Sequence, residues 1–279
     1  MPQLKSLEVG AMFWAGRDPL ETVREVKSLG VSCGQLAIPG TLVLEGEAAK
    51  WRAVLQAEDF KLVTVFCTYD GESYADIPTV EQTVGFIPRA TRTAREARTL
   101  EVSDFAAALG VKSIACHVGF VPEDVAHPDY IAVRKIVQRI CDHAARHGQT
   151  FALETGQEPA HVLLAFFKDV GRANLGINFD PANLIMYGSD DPIEALSLLA
   201  PHVISVHAKD GDWPPKNVTG ALGVEQPLGQ GAVGMERFVA KLKEIGFRGP
   251  MNVEREIEDH QQKLRDMRMG VQLLESLRD

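Results

Sequence analysis

The chain alternates between short apolar segments and longer segments with helical spacing, and no other feature restricts its fold as strongly. Eight short segments have the length and the branched apolar side chains of strands, and each is followed by a segment whose apolar residues recur at helical spacing. Strict alternation is typical of a parallel sheet covered by helices, and eight such units close into a barrel. An open doubly wound sheet is the alternative, but Gly10 and Gly16 do not form the Gly-rich turn that usually follows its first strand. The sequence therefore predicts a (β/α)8 TIM barrel.

The bounds of these segments also predict the connections. The predicted strands are residues 7–13, 33–38, 61–67, 111–118, 150–154, 174–179, 203–207 and 250–254. The predicted helices are residues 18–29, 45–58, 91–109, 128–147, 158–169, 191–200, 235–245 and 259–277. Residues 68–90 and 208–234 are long connections, which favours functional loops, and the first is in the position of a lid. Because no linker or low-complexity segment separates the units, we expect residues 1–279 to form a single domain.

Composition excludes several classes of protein. The 279 residues carry a formal charge of −9, which argues against a nucleic-acid partner because such proteins usually have a basic surface. No run of about 18 apolar residues is present, so we expect no membrane association. Residues 1–6 lack the apolar core of a signal peptide. The four cysteines have no CxxC spacing, which is typical of reduced core residues in a cytoplasmic protein.

Four of the predicted strands end in a residue that can bind a metal ion. Glu154, Asp180, His207 and Glu254 end the fifth, sixth, seventh and eighth strands. Pro181 ends the sixth strand because proline has no N–H to donate to the sheet. In a barrel the carboxyl ends of the strands meet at one face, and a buried carboxylate needs a partner. We therefore predict that these four side chains share one divalent metal ion.

The ligand types restrict the metal without fixing it. Three carboxylates and one imidazole suit Mn²⁺ best, with Mg²⁺, Co²⁺ or Zn²⁺ as alternatives.

Five sequence segments carry a resemblance to a known group of proteins. They are Leu-Glu-Thr at 153–155, Asn-Phe-Asp-Pro-Ala-Asn at 178–183, Val-His-Ala-Lys-Asp at 206–210, Pro-Leu-Gly-Gln-Gly at 227–231 and Val-Glu-Arg-Glu at 253–256. With these segments the chain resembles the sugar phosphate isomerase/epimerase superfamily, whose fold is the xylose isomerase-like barrel and which includes ketose 3-epimerases and inosose dehydratases. The resemblance implies that Glu154, Asp180, His207 and Glu254 bind one metal ion, which would bind a keto-sugar through its carbonyl and adjacent hydroxyl oxygens and stabilise an enediolate. It implies further that Glu154 and Glu254 exchange protons with the substrate as acid and base, in an order that the sequence leaves open. It also implies a dimer or a tetramer.

The resemblance favours one activity and leaves others open. The first expectation is a metal-dependent isomerase or epimerase of a small sugar or keto-sugar, with or without a phosphate group. A dehydratase or a lyase that eliminates a β-substituent from a 3-keto-sugar is the alternative, because it begins with the same proton removal. An endonuclease IV-type nuclease is less well supported, because such enzymes need about three metals and more ligands than the strand ends provide. A sugar-binding barrel without activity is a further alternative.

Several other residues are predicted to contact the substrate. Ketose 3-epimerases usually carry a histidine where this chain has Asn183, which can donate a hydrogen bond but cannot take up a proton. This difference argues against an ordinary 3-epimerase of free ketoses. Lys209 is two residues beyond His207 and would point the same way along a strand. The full set of predicted substrate contacts is His117, Asn183, Lys209, Gln157 and Trp14.

Other polar residues are predicted to have no role in the site. His143 and His147 are one helical turn apart on a peripheral helix and are expected to be solvated. The arginines of the helix after the first long loop, Arg89, Arg92, Arg95 and Arg98, are also expected to form a solvated face. We expect Arg255 to form a structural ion pair, because in a strand it points away from Glu254.

Overall fold

Eight parallel strands form a closed barrel, as the alternation predicts. The computed structural model describes residues 6–279, so most of the N-terminal stretch that lacks a signal-peptide core lies outside the described residues. The strands follow the circular order β1-β2-β3-β4-β5-β6-β7-β10, and β8 pairs with β9 in a separate antiparallel hairpin. The strands are β1 (Val9–Trp14), β2 (Cys33–Ile38), β3 (Lys61–Cys67), β4 (Ser113–Cys116), β5 (Thr150–Glu154), β6 (Leu175–Phe179), β7 (Val203–Ala208), β8 (Asp210–Asp212), β9 (Val224–Gln226) and β10 (Met251–Val253).

The helices surround the barrel, and several begin at an Asp-Pro pair. Asp18, Asp180 and Asp191 each accept backbone hydrogen bonds from the first turn of the following helix, and a proline occupies its first position. None of the helices in residues 6–279 combines the length and the apolar character that a membrane span requires. The helices are α1 (Pro19–Lys27), α2 (Glu47–Ala57), α3 (Ile77–Thr83), α4 (Arg92–Ala108), α5 (Pro128–Arg146), α6 (Ala160–Val170), α7 (Pro181–Tyr187), α8 (Pro192–Leu199), α9 (Met235–Glu244) and α10 (His260–Arg278).

The buried apolar side chains form two clusters, one on the outer face of the barrel and one inside it. Large side chains on the outer face of the strands pack against the helices in one extensive cluster. The apolar part of the interior is the small cluster of Met12, Ala37, Phe66, Ala115 and Ala152. All five residues of β6 are buried, because strands of a parallel barrel are covered on both sides.

Three connections contain secondary structure that the sequence analysis missed. Helix α3 lies within the predicted loop 68–90, and the β8–β9 hairpin lies within the predicted loop 208–234. Pro181, predicted only to end a strand, also starts α7. The first two segments meet, since the Ile77 N–H donates to the Gly220 carbonyl at 2.9 Å. The carboxyl end of the barrel is therefore covered by two contacting segments.

The arginines of α4 do not form the predicted solvated face. Arg95 is buried and donates to the carbonyls of Thr83 and Gly85 at 2.7 Å and of Asp70 at 3.1 Å. Arg92 donates to two carbonyls of the same connection. The sequence pattern could not distinguish exposed arginines from these, because their partners are backbone atoms of a loop that has no sequence signature.

Replacing Arg95 by Met should destabilise the connection between β3 and α4. The change leaves three carbonyls without their charged donor, which costs about 2–4 kcal/mol of unfolding free energy. Urea unfolding and hydrogen exchange of residues 70–86 would measure the effect. Arg89→Met is the control, because the Arg89 side chain is 69% exposed and such ion pairs contribute at most about 1 kcal/mol. Equal losses in the two variants would contradict this assignment.

Helices α4 and α5 also correct the prediction for two histidines. His143 and His147 are not simply solvated, because both Nε2 atoms lie close to Oδ1 of Asp104, at 2.7 and 2.8 Å. Their side chains are 17% and 34% exposed. Asp104 is on the neighbouring helix, so sequence spacing within α5 gave no sign of it.

Candidate active site

The four predicted metal ligands meet at the carboxyl end of the barrel. Nδ1 of His207 lies 2.7 Å from Oε1 of Glu154, 3.0 Å from Oε2 of Glu254 and 3.9 Å from Oδ2 of Asp180. One ligand atom from each residue lies within 4.8 Å of all the others, and all four side chains are buried. Glu154 and His207 belong to β5 and β7, and Asp180 and Glu254 directly follow β6 and β10, which are neighbouring strands of the barrel. The structure thus brings together the set that the strand ends predicted.

Asp180 combines two tasks because its two carboxylate oxygens face different groups. Its Oδ1 accepts the N–H groups of Ala182 and Asn183 at 2.8 and 3.1 Å and so caps α7. Its Oδ2 is buried, faces the His207 side of the cluster and has no hydrogen-bond partner in the described structure. The helix cap therefore fixes the free oxygen in place.

The cluster fits a divalent cation. Oδ2 of Asp180, Nδ1 of His207 and Oε2 of Glu254 are all buried without a hydrogen-bond partner of suitable geometry among the described residues. Three carboxylates in one buried site repel one another, and burial together with this repulsion raises the pKa of Asp180 to about 8. A cation removes both costs, and three oxygen ligands with one imidazole are a donor set that Mn²⁺ and Mg²⁺ accept.

A layer of buried polar side chains supports His207 from inside the barrel. Nε2 of His207 lies 3.1 Å from both the Gln35 and the Asn178 amides, and Gln35 donates to Asn178 at 3.0 Å. Ser205 also donates to Asn178. These contacts occupy Nε2 and leave Nδ1 for a ligand role. Gln35 and Asn178 were not among the residues predicted for the site, although a polar residue within an apolar strand was an available signal.

His117 and Gln157 lie beside the cluster, where they were predicted. Nε2 of His117 is 2.6 Å from Oε2 of Glu154, and Nδ1 faces the Gln157 amide at 3.4 Å. Burial alone would lower the pKa of His117, but the adjacent Glu154 carboxylate outweighs it and raises the pKa to about 9. His117 therefore holds Glu154 as a carboxylate, and their contact orients it.

Lys209 is buried within the acidic cluster. Its Nζ lies 2.5 Å from Glu256, 3.4 Å from Glu254 and 4.0 Å from Asp180. Burial lowers the pKa of Lys209, but these carboxylates outweigh it and raise the pKa well above its usual range. Lys209 is thus a charged donor beside Glu254. Arg255 points away, as predicted, and contacts Asp266 and Glu225.

A cavity of about 980 Å³ opens above the cluster. Trp14, Asn183 and Lys209 line it, together with His117 and residues of both covering segments. Trp14 is 40% exposed and Asn183 is buried at the start of α7. Gln157 does not line the cavity, but it contacts two residues that do, His117 and the hydroxyl of Tyr187. Tyr74 and Tyr187, which the sequence analysis did not select, also line it.

The Gly-rich segment 227–231 is organised by Asp210. This buried carboxylate accepts the N–H groups of Gly211, Gly229, Gly231 and Val233 at 2.9–3.1 Å. A side chain at Gly231 would place its Cβ 2.4 Å from Asp210 Oδ1, so glycine is required there. Because Asp210 already occupies these donors, they are not free to bind a phosphate group. The Lys-Asp of segment 206–210 and the glycines of segment 227–231 therefore belong to one structural unit.

Glu158 gives a pH-dependent stability that can be measured. It is buried, accepts the Val121 N–H at 2.7 Å, and burial raises its pKa to about 7. A raised carboxyl pKa favours the protonated folded state, so stability is present at low pH and is lost as pH rises from about 4.5 to 7. Glu158→Gln should therefore raise the unfolding free energy at pH 8 by about 2–3 kcal/mol and leave it nearly unchanged at pH 4. Urea unfolding between pH 4 and pH 8 measures this difference.

Glu123→Gln is the control, because Glu123 is an exposed residue of the same region. A gain in unfolding free energy that does not depend on pH would contradict the role assigned to Glu158.

Comparison with known proteins identifies the family. The family model described as xylose isomerase-like TIM barrel matches residues 23–277. A xylose isomerase domain protein from Planctomyces limnophilus is 43% identical with a TM-score of 0.92, and the match covers 98% of each chain. Two curated relatives, YihM of Escherichia coli and MJ1311 of Methanocaldococcus jannaschii, are 30% and 26% identical over 46% and 50% of this chain, but the matches span only 37% and 50% of their lengths.

More distant solved structures share the fold. A xylose isomerase-like TIM barrel protein from Mycobacterium smegmatis in complex with magnesium is 19% identical, with a TM-score of 0.69 and 98% coverage of each chain. The 3-keto-D-glucoside 4-epimerase YcjR of E. coli is 16% identical, with a TM-score of 0.69 over 98% of this chain and 100% of that one. The closed barrel, the cluster at its carboxyl end and the match over residues 23–277 together lead to one conclusion: the chain belongs to the xylose isomerase-like TIM barrel family.

Proposed function

We propose that this protein is a divalent-metal-dependent isomerase or epimerase of an uncharged keto-sugar. The observation that carries the proposal is the placement of two carboxylates, Glu154 and Glu254, against the same Nδ1 of His207 at the floor of the cavity. Glu154 ends β5 and Glu254 follows β10, and two strands, β6 and β7, lie between them in the barrel. The two carboxylates therefore approach Nδ1 of His207 from different sides. Such a pair can remove a proton from one face of a substrate carbon and return one to the other.

The residues around the cavity have separate proposed roles in metal binding, proton transfer and substrate contact. A divalent cation bound by Glu154, Asp180, His207 and Glu254 would supply Lewis-acid polarisation of a substrate carbonyl. One of the two glutamates, as a carboxylate, removes the proton beside the carbonyl, and the other, which has taken up a proton from water, donates that proton to the same carbon from the opposite face. Proton exchange with water then returns both glutamates to their starting states. His117 orients Glu154 through the 2.6 Å contact, and Lys209 places a positive charge beside Glu254. Asn183 and Trp14 are positioned to contact substrate hydroxyl groups and a sugar face.

The charge of the cavity supports an uncharged substrate. Besides Glu154 and Glu254, its lining contains the carboxylates of Asp70, Glu72, Asp76, Glu225 and Glu256. Among the described lining residues Lys209 and His117 are the cations, and each is already paired with a carboxylate. A phosphate would meet repulsion without a free cation to bind it. We therefore narrow the sequence-based expectation to substrates without phosphate.

Hydrogen exchange in D₂O tests the proposal and separates its alternatives. The Mn²⁺-loaded protein is incubated with uncharged ketoses, 3-keto-glycosides and the corresponding phosphate esters, and the products are analysed by NMR. An isomerase or epimerase incorporates deuterium beside the carbonyl and forms an isomer without loss of a group. Loss of water or of a β-substituent would instead establish a lyase. Turnover of the phosphate esters at a higher kcat/KM than the uncharged sugars would contradict the charge argument.

The cysteines support the expected reducing environment. All four are buried and unpaired, and burial raises the pKa of the Cys33, Cys67 and Cys141 thiols to about 12. Such thiols are poor nucleophiles and resist oxidation. This supports a cytoplasmic location as part of the proposal.

A further inference from the structure

A second group of metal-binding side chains lies outside the barrel, between α4 and α5. Its members are Asp104, His143 and His147, and we call it the exterior triad. Both histidine Nε2 atoms face the same Asp104 oxygen, at 2.7 and 2.8 Å. One ligand atom from each residue lies within 4.8 Å of the other two. These side chains belong to no part of the candidate active site.

Two packed helices hold the exterior triad in a geometry that suits a transition metal. Residues four apart on a helix lie on the same face, so the two imidazoles of α5 point together. The rings lie 5.4 Å apart between centroids. Asp104 adds a carboxylate from α4, which completes a set of two imidazoles and one carboxylate. Zn²⁺, Ni²⁺ and Cu²⁺ bind this set more readily than Mg²⁺ or Ca²⁺ do.

The position of the triad at the ends of helices also favours a cation. His143 lies in the last turn of α5 and His147 is its C-cap residue. The carboxyl end of a helix carries a partial negative charge, which stabilises nearby cations. The positive charge of Lys112 is close to the triad and would repel a bound cation. Its Nζ donates to the His147 carbonyl at 2.8 Å, so it leaves the imidazole nitrogens free to act as ligands.

The triad is remote from the active site because of the barrel's topology. Helix α4 leads into the start of β4 and α5 leads into the start of β5, so their carboxyl ends lie at the amino-terminal face of the barrel. The candidate active site lies at the opposite face. The two sites can therefore be altered one at a time.

We propose that Asp104, His143 and His147 form a second metal site, which takes Zn²⁺ or a similar borderline cation and leaves coordination positions open to water. The bound cation ties α4 to α5. The interior cluster, with three oxygen ligands and one nitrogen, prefers harder cations, so the two sites differ in selectivity as well as in place. This site does not depend on the proposed enzymatic activity.

Zinc titration of a variant with a weakened interior cluster tests the proposal. Asp180→Asn weakens the interior cluster and leaves the exterior triad intact. We expect chelator-treated Asp180→Asn protein to bind about one Zn²⁺ per chain by calorimetry, and His143→Gln/His147→Gln in that background to bind none. At roughly a hundred times Kd, Zn²⁺ should raise Tm by about 4–6 °C only when the triad is present. His161→Gln, which changes an exposed histidine of α6, is the control and should bind normally.

A spectroscopic measurement identifies the ligands. Cu²⁺ bound to Asp180→Asn protein should show EPR hyperfine splitting from two imidazole nitrogens, whereas the interior site offers one. Asp104→Asn provides a second variant if the double histidine variant folds poorly, and it should weaken Zn²⁺ binding at least about tenfold because the carboxylate ligand is lost. The proposal would be overturned if Asp180→Asn protein still binds Zn²⁺ after His143, His147 and Asp104 have all been substituted. It would also be overturned if Asp180→Asn protein binds no Zn²⁺ at all. The second outcome would mean that the histidines only form hydrogen bonds to Asp104.

Discussion

Replacing Glu254 by Gln should lower kcat for keto-sugar turnover by about 10²–10⁴-fold. The amide keeps the size of the side chain but cannot take up or release a proton, so proton transfer on that face of the substrate fails. Glu154→Gln should have an effect of similar size, because the proposed chemistry needs both carboxylates. Rates measured by NMR at saturating Mn²⁺ would give kcat separately from metal affinity.

Loss of proton transfer must be distinguished from loss of the metal ion in these two variants. Glu254 is also a proposed ligand, so the metal content of each variant must be measured in the same samples. Glu258→Gln is the matched control, since Glu258 is an exposed carboxylate four residues further along the chain, and it should keep the wild-type rate. If Glu154→Gln and Glu254→Gln both retain full turnover with bound metal, neither residue transfers a proton and the proposed mechanism is wrong.

Replacing Asp180 by Asn should abolish tight binding of Mn²⁺ without unfolding the protein. The side-chain oxygen of Asn can still accept the N–H groups of Ala182 and Asn183, and Asn caps helices as well as Asp does. The change removes the charged Oδ2, which is the buried oxygen without a partner. We expect about one Mn²⁺ per wild-type chain after loading and desalting, and roughly a tenth of that or less in the variant. Mass spectrometry of the metal content measures it, and substrate identity is not needed.

Asp191→Asn is the control for the helix cap. Asp191 precedes Pro192 and caps α8 through the same two-donor arrangement, but it is exposed and outside the site. It should bind Mn²⁺ like the wild type. In zinc-free protein loaded with Mn²⁺ alone, a chelator should lower Tm of the wild-type and Asp191→Asn proteins and leave Tm of Asp180→Asn unchanged. Retention of Mn²⁺ by Asp180→Asn would contradict the assignment of Oδ2 as a ligand.

Local sequence patterns were enough for the barrel and for the four strand ends. The period of apolar residues changes between strands and helices, and this change does not depend on distant contacts. Glu154, Asp180, His207 and Glu254 could be grouped because a parallel barrel brings the carboxyl ends of its strands to one face. The same reasoning located Lys209, which shares the inward direction of His207 along β7.

Other features of the structure depended on pairings between distant segments. Arg95 was expected to be solvated, but the connection that folds over it makes it a buried donor to three carbonyls. Asp104 meets His143 and His147 only because α4 packs beside α5. The four hydrogen bonds of Asp210 required the return of the Gly-rich segment to β8. Apart from Gly211, which is adjacent to Asp210, these partners are too far away in sequence to leave a periodic signal.

The sequence by itself determined the alternation of strands and helices, the closure of eight units and the residue types at the strand ends, because these follow from side-chain periodicity and chain direction. Only the tertiary structure decided which polar groups are paired and which remain free. Asp180 shows the difference: its type and position are readable in the sequence, but the helix cap that leaves Oδ2 without a partner exists only in the folded chain. Burial then sets the charge of each group, because desolvation and the distance to neighbouring charges act only after the segments have come together.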